Sequence, residues 1–292
     1  MDMSGFDNAV TVGYWRYFTC LILSFTFSFT CSSIFPSIRG LAAPLRMMAM
    51  FGGAKLLAEN YDLKPKEGGG FDSSSWKDAK TALRKRNSLM NLPYLIDGDV
   101  VVSQTNACFA YLGRKLGLFG SNEAEASQCE QLLCEIYDLR GAMVRFAYSP
   151  LSDEEAKEAA AKMCESVSNP FSGQLPKLEE WLSGEKANGK SGNFLVGDKA
   201  SAPDFHLYEM LYQFDTMTKF YELPSLLANF PNLKNFLNSF GSMPQNSKYL
   251  SSNLAKLPFN NKAACFGAHP SGGRWKEEYS STYEFGSYSG EY

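Results

Sequence analysis

Residues 184–191, Gly-Glu-Lys-Ala-Asn-Gly-Lys-Ser, fit the phosphate-loop pattern G-x-x-x-x-G-K-S. Such a loop cradles phosphates only when it follows a buried strand and opens a helix, so that backbone N–H groups and the helix dipole meet the anion. Here a helical pattern precedes it at residues 175–183, and Gly192-Asn193 follows without a helical run. It therefore reads as a polar loop between helices. Other chemistry-bearing residues are sparse. His206 and His269 are the two histidines, too few for a histidine-rich metal site or an obvious histidine triad. Seven cysteines form no C-x-x-C pair and scatter through 292 residues, the usage of a reduced, cytosolic chain. Trp76 and Lys80 stand four apart and would share one face of a helix.

The elements that must position such residues come from a chain with 45% hydrophobic and 20% charged residues, enough for a core in two ordinary domains. Its 28 basic and 31 acidic residues give a net charge of -3, which supplies no global basic field for nucleic acid. Residues 10–15 form a short β-like run. Leu41, Leu45, Met48 and Leu56 recur at helical spacing, with Gly52 on the same face, which predicts an amphipathic helix over 38–60. Residues 64–75 read as a glycine-rich loop. Two β-rich runs, 94–96 and 100–102, are joined through Asp97-Gly98, a hairpin signal. Ser103 and Thr105 are candidate N-caps for a helix that Gly117 and Gly120 stop. Beyond that point helix dominates. Leu132, Ile136, Leu139, Met143 and Ala147 form one stripe, with Gln131, Glu135, Asp138 and Arg145 on the polar face. Further helices are expected over 152–168, 174–183, 203–220 and 232–239, the third opened by Ser201-x-x-Asp204. The expected fold class is an α/β unit followed by an all-α domain, with a boundary near 117–122.

One stretch does not fit. Residues 17–36 hold twelve apolar residues, seven Ser/Thr and one Pro, and no charge lies between Arg16 and Arg39. The length permits a membrane span, although so many hydroxyls weaken it. A signal peptide is a second reading, with an unusually long leader. The third comes from codons: Phe, Ser, Leu and Pro can all be written in pyrimidines, and they fill ten of the fourteen positions 23–36. A translated pyrimidine tract before a splice acceptor would look like this, so residues 16–37 are read as a possible retained intron.

Three blocks carry a resemblance: Gly13-Tyr14-Trp15, Ile38-Arg-Gly-Leu-Ala-Ala-Pro-Leu-Arg46, and Asn91-Leu-Pro-Tyr-Leu-Ile-Asp-Gly with Ser103-Gln-Thr-Asn-Ala107. Together they resemble the cytosolic glutathione transferases, most closely the mu class, over about residues 11–268. In that family the first block runs almost directly into the second; here some twenty-two residues part them. The resemblance implies a thioredoxin-like glutathione-binding domain over 9–118, interrupted by the insert 16–37, then an all-helical domain over 119–268. The Gly-, Ser- and Tyr-rich residues 269–292 read as a disordered tail.

The same resemblance implies the chemistry. An ordinary thiol with pKa of about 8.5 holds only a few per cent thiolate at neutral pH. Tyr14, by its match, would donate its phenolic O–H to the glutathione sulfur and is the expected catalytic residue. Trp15, Leu41, Asn91 and Leu92 would line the glutathione site, with Pro93, cis by resemblance, holding the Leu92 main chain for peptide-like pairing. Gln104 and Thr105 would take the γ-glutamyl end, where a helix N-terminus also favours a carboxylate. Trp76 and Lys80 would meet the glycine carboxylate; taken alone they read as a surface Trp beside a solvated Lys. A basic residue that the family carries just before that Trp is replaced within Ser73-Ser74-Ser75, which implies a weaker clamp. Asp138 would reach across a homodimer, and Tyr148 would stand in the electrophile pocket. Arg39 reads as structural. The implied function is conjugation of glutathione to hydrophobic electrophiles, a cytoplasmic detoxification of xenobiotics with no cofactor or metal. The alternative, if the insert is genuine, is a non-catalytic ligand-binding or membrane-tethered relative.

Overall fold

The computed structural model describes residues 10–13, 38–59, 61, 64–184 and 193–280. Strand β1 (Val10–Gly13) pairs in parallel with β2 (Leu56–Glu59) and antiparallel with β5 (Tyr94–Asp97). The hairpin partner β6 (Val100–Ser103) completes a sheet of order β2-β1-β5-β6. Helix α1 (Ala43–Phe51) makes the crossover between the parallel strands. It ends where Gly52-Gly53 follow, Gly53 at φ +72.

The helix expected over 38–60 is therefore too long. Leu-Leu-Ala-Glu favours helix locally, but parallel pairing with β1 overrides propensity, with Leu56 buried and Leu57 exposed in strand alternation. Gly52, exposed at the C-cap of α1, still leaves no room for a side chain: a Cβ there would come within 2.7 Å of Leu116. The loop expected over 64–75 is also more structured. Lys64–Pro65 (β3) and Phe71–Asp72 (β4) pair around the three glycines, and α2 (Ser74–Leu83) begins directly after. The Asp72 carboxylate accepts from Ser74 N–H at 3.0 Å and Ser74 Oγ at 2.8 Å, and these bonds hold it below the usual carboxylate range.

Helix α3 (Thr105–Lys115) closes the α/β unit, and residues 116–122 lead into α4 (Glu123–Ala147). Then follow α5 (Asp153–Val167), α6 (Gln174–Ser183), α7 (Ala202–Phe220), α8 (Pro231–Gly241) and the short α9 (Ser247–Leu250). The thioredoxin-like unit thus precedes a helical domain. The expected α4 stripe is buried throughout. Gly184 caps α6 in the left-handed region, so a helix does precede the phosphate-loop look-alike; residues 185–191 lie outside the described residues.

Helix α7 is the axis of the core and packs against α4, α1 and α8. Its first turn is the expected capping box of Ser201 and Asp204. Asp204 is fully buried; its carboxylate accepts from Leu195 N–H at 2.8 Å, Ser201 N–H at 2.8 Å and Ser201 Oγ at 2.7 Å. Asp204→Ala orphans these donors and is expected to cost about 2 kcal/mol or more. A lowered urea midpoint at unchanged slope would show it, and an unchanged midpoint would refute it.

The disorder expected from His269 does not describe residues 269–280. Ala268 and His269 N–H groups both donate to Gly273 O, at 3.0 and 3.1 Å, folding this stretch back on itself. Trp275 packs on the main core. A polar composition hid one anchoring aromatic. Residues 281–292 lie outside the described residues. No described helix is long and apolar enough to cross a membrane.

Candidate functional site

Register across the sheet sets Gly13 of the first motif block against the third block. Gly13, the last described residue before Tyr14, stands opposite Tyr94, and Tyr94 stands opposite Ser103. One row therefore gathers the end of β1, the proline loop that enters β5 and the exit from β6 into α3. The Leu92–Pro93 peptide bond is cis. Ser103 Oγ ties the loop to that exit, accepting from Asn91 N–H at 2.8 Å and donating to Asn91 O at 3.1 Å. This bond explains why Ser103 is not the N-cap: it belongs to β6 and its hydroxyl is already engaged.

The cap position is held by Gln104, exposed, at φ 77 and ψ 129, with no side-chain capping bond. Positive φ in a residue other than glycine is costly and concentrates where ligands bind. The first N–H groups of α3 are thus presented without a side-chain cap from that position, the arrangement that receives a carboxylate. Thr105 is buried behind it.

Trp76 is not a surface residue. It is 6% exposed in a small second core with Tyr61, Met90 and Tyr94. Its ring centroid lies 6.2 Å from that of Tyr94, nearly parallel, and 5.1 Å from Tyr61. The expected helical pairing with Lys80 holds, with the ammonium 5.7 Å from the indole centroid. Tyr61 and Tyr94 share a hydroxyl–hydroxyl bond of 2.8 Å. Neither tyrosine was marked from sequence: Tyr94 lies within the motif, and Tyr61 lies outside every motif. Of the described glutathione-side candidates, Trp76 stacks on Tyr94, Leu92 packs on the same cluster and Pro93 precedes Tyr94 in sequence.

The remaining candidates lie apart. Leu41 is half-buried in the turn two residues before α1. Asp138 is exposed on α4, beside Tyr137, which is 44% exposed. Tyr148 ends α4, and its hydroxyl accepts from Asn261 N–H at 3.1 Å; burial pushes its pKa up. Tyr14 and Trp15 lie outside the described residues. Arg39 is structural, as its setting predicts: it is buried and paired with Glu209. His206 is buried and stacked on Phe109 at 5.0 Å; burial, then the Arg140 charge, push its pKa down to about 3, so it stays neutral in the core. Among the described residues, Cys108, Cys134, Cys164 and Cys265 are free thiols.

A thioredoxin-like sheet with a cis-proline loop beside an open helix N-terminus, continued by a helical domain, defines the class of fold. A family model described as the glutathione S-transferase C-terminal domain matches residues 137–253. The chain is 32% identical over 216 residues to a glutathione S-transferase of Dermatophagoides pteronyssinus, covering 73% of this chain and 86% of that protein. It is also 32% identical over 234 residues to glutathione S-transferase Mu 3 of Homo sapiens, covering 80% and 93%. The crystal structure of the glutathione S-transferase Blo t 8 shares the fold, with a TM-score of 0.67 at 21% identity over 88% of this chain and 99% of that one. The chain belongs to the glutathione S-transferase family, and it resembles mu-class members.

Proposed function

We propose that this protein transfers the glutathione thiol to hydrophobic electrophiles. The observation that carries the reading is the single row Gly13, Tyr94, Ser103, which brings the β1 end, the cis-proline loop and the open α3 N-terminus to one rim of the sheet. The ligand such a rim suits is an extended peptide with a carboxylate. In this reading the Leu92 main chain pairs with the cysteinyl unit, while Gln104 and the α3 N-terminus take the γ-glutamyl carboxylate. Trp76 and Lys80 meet the glycine carboxylate, with Asn91, Leu41 and Trp15 completing the walls. Tyr14 donates to the sulfur and favours its anion. The thiolate then forms the S–C bond as the electrophile's leaving group departs with the electron pair of the broken bond, assisted by Tyr148. Asp138 contributes across a homodimer. The reaction needs no cofactor besides the co-substrate, and its setting is cytoplasmic detoxification.

The test uses the full chain on immobilised glutathione, with turnover of an activated nitroaryl halide. Retention and turnover support the reading; retention without turnover indicates the non-catalytic alternative. Gln104→Ala is expected to weaken glutathione binding about tenfold, the worth of one bond to a charged group. Gln104→Gly, which accepts the positive φ without strain, should lose as much if the side-chain amide is the contact. Full binding by the glycine variant would remove Gln104 from the site.

A further inference from the structure

The segment beyond residue 268 grips both sides of one contact. That contact is the bond from Asn261 N–H to Tyr148 Oη. On the Tyr148 side, Arg274 Nε donates to Asp153 Oδ1 at 2.6 Å and Arg274 Nη2 donates to Leu151 O, fixing the turn that leaves α4. On the Asn261 side, the next residue in sequence, Trp275, lies under the Lys262 ammonium, 4.6 Å from the ring centroid. Two consecutive side chains thus bridge the two strands of chain that meet at Tyr148. The path between is closed as well. Gly267 N–H donates to Gly272 O at 2.7 Å, and Asn260, itself fully buried, donates its N–H to Gly267 O at 2.8 Å and its Nδ2 to Phe266 O at 3.0 Å. Gly272 has φ +97 and rests on Phe220, so close that a Cβ would fall 3.0 Å from the ring.

The strap borders open space on the side of the Arg274–Asp153 pair. A cleft of about 480 Å³ opens between it and the ends of α5 and α7, lined in part by Glu154, Lys157, Phe220 and Glu222. Arg274 gives the strap its hold on the turn and Trp275 its hold on the Asn261 segment, beside the bond from Cys265 N–H to Ala147 O at 2.7 Å that also joins the two.

We infer that Arg274 and Trp275 are positioning residues for the electrophile subsite: they hold the Tyr148–Asn261 contact shut, making the extension a determinant of electrophile binding. This rests on the transferase reading for its kinetic consequence, though not for its physical one. Two measurements on the full chain separate these. Amide hydrogen exchange at Asn261 should accelerate about tenfold or more in Arg274→Ala and in Trp275→Ala, while α3 amides stay unchanged. In turnover of the nitroaryl halide, Arg274→Ala should shift KM for the electrophile about fivefold or more and leave KM for glutathione within about twofold. Arg274→Lys, which keeps one donor, should recover part of both effects. Unchanged Asn261 exchange in both alanine variants overturns the clamp, as does a glutathione KM that moves in step with the electrophile KM. If the full chain turns nothing over, the transferase reading fails and the exchange result alone decides the clamp.

Discussion

Glu209→Ala is expected to destabilise the protein by about 3–5 kcal/mol, the cost of leaving a buried charge without its partner. Arg39 and Glu209 are 3% and 2% exposed. Arg39 Nε donates to Oε1 at 3.0 Å and Nη2 to Oε2 at 2.5 Å, a two-pronged pair joining the start of the α1 crossover to α7. Burial alone would push the guanidinium down, but Glu209 outweighs it and Arg39 stays charged. The cation is further held over the rings of Tyr212 and Phe259, at 4.7 and 5.2 Å. Gln213 Nε2 also donates to Glu209 at 2.8 Å, so removing the carboxylate orphans two groups. In a chain of this size the loss corresponds to a fall in Tm of about 10 °C. The pair is a registration device as well, because Arg39 N–H donates to Pro258 O at 2.7 Å and Nη1 to Ala255 O at 2.8 Å. An apolar double variant, Arg39→Met with Glu209→Leu, should recover much of the stability lost in Glu209→Ala. A single-variant loss under about 1 kcal/mol would show that water reaches Arg39 and that the pair is worth no more than a surface bridge.

The same residues mark what the sequence reveals and what it hides. Helix α4 was legible from its apolar stripe, and α7 from its start signal at Ser201 and Asp204. The hairpin was legible because Asp97-Gly98 sits between two β-rich runs, and its register follows from the turn. Strand β2 was not: Leu-Leu-Ala-Glu is helix-favouring, and only a partner 46 residues upstream, Val10 against Leu56, makes it a strand. Gln104 was legible as a residue beside a helix start, but its positive φ was not, since nothing in a glutamine announces that conformation. Trp76 misled in the other direction. Its neighbours in sequence are polar, and its burial comes from Tyr61 and Tyr94, which reach it from other elements. Arg274 and Trp275 lay in a stretch whose glycines and serines suggested no structure, and the single aromatic that docks it carries no periodicity to read.

The largest functional effect is expected at Tyr14, and the insert decides how it is to be measured. The described flanks are both fixed. Gly13 is paired on two sides, to Glu59 and Tyr94. Ile38 is buried, its carbonyl accepts from Arg46 Nη1 at 3.1 Å, and Arg39 is locked to Glu209. Among the described residues, the framework therefore fixes where each half of the interrupted motif ends. Excising residues 17–37, so that Arg16 alone parts Trp15 from Ile38, is expected to leave stability unchanged or improved and to raise turnover. In that short form Tyr14→Phe should lower turnover about a hundredfold, the usual cost of removing one preorganised donor to a reacting anion. The direct readout is the pKa of the bound glutathione thiol, followed by thiolate absorbance. Loss of the donor should return it toward the ordinary value of about 8.5, so the loss of activity shrinks as pH rises through that range. Turnover within twofold of the unsubstituted short form would remove Tyr14 from the mechanism. A short form that fails to fold, beside a long form that folds, would show instead that the insert belongs to the protein. Sequencing the messenger RNA from the Trp15 codon to the Ile38 codon gives the same answer independently: a direct join makes the short form the native one.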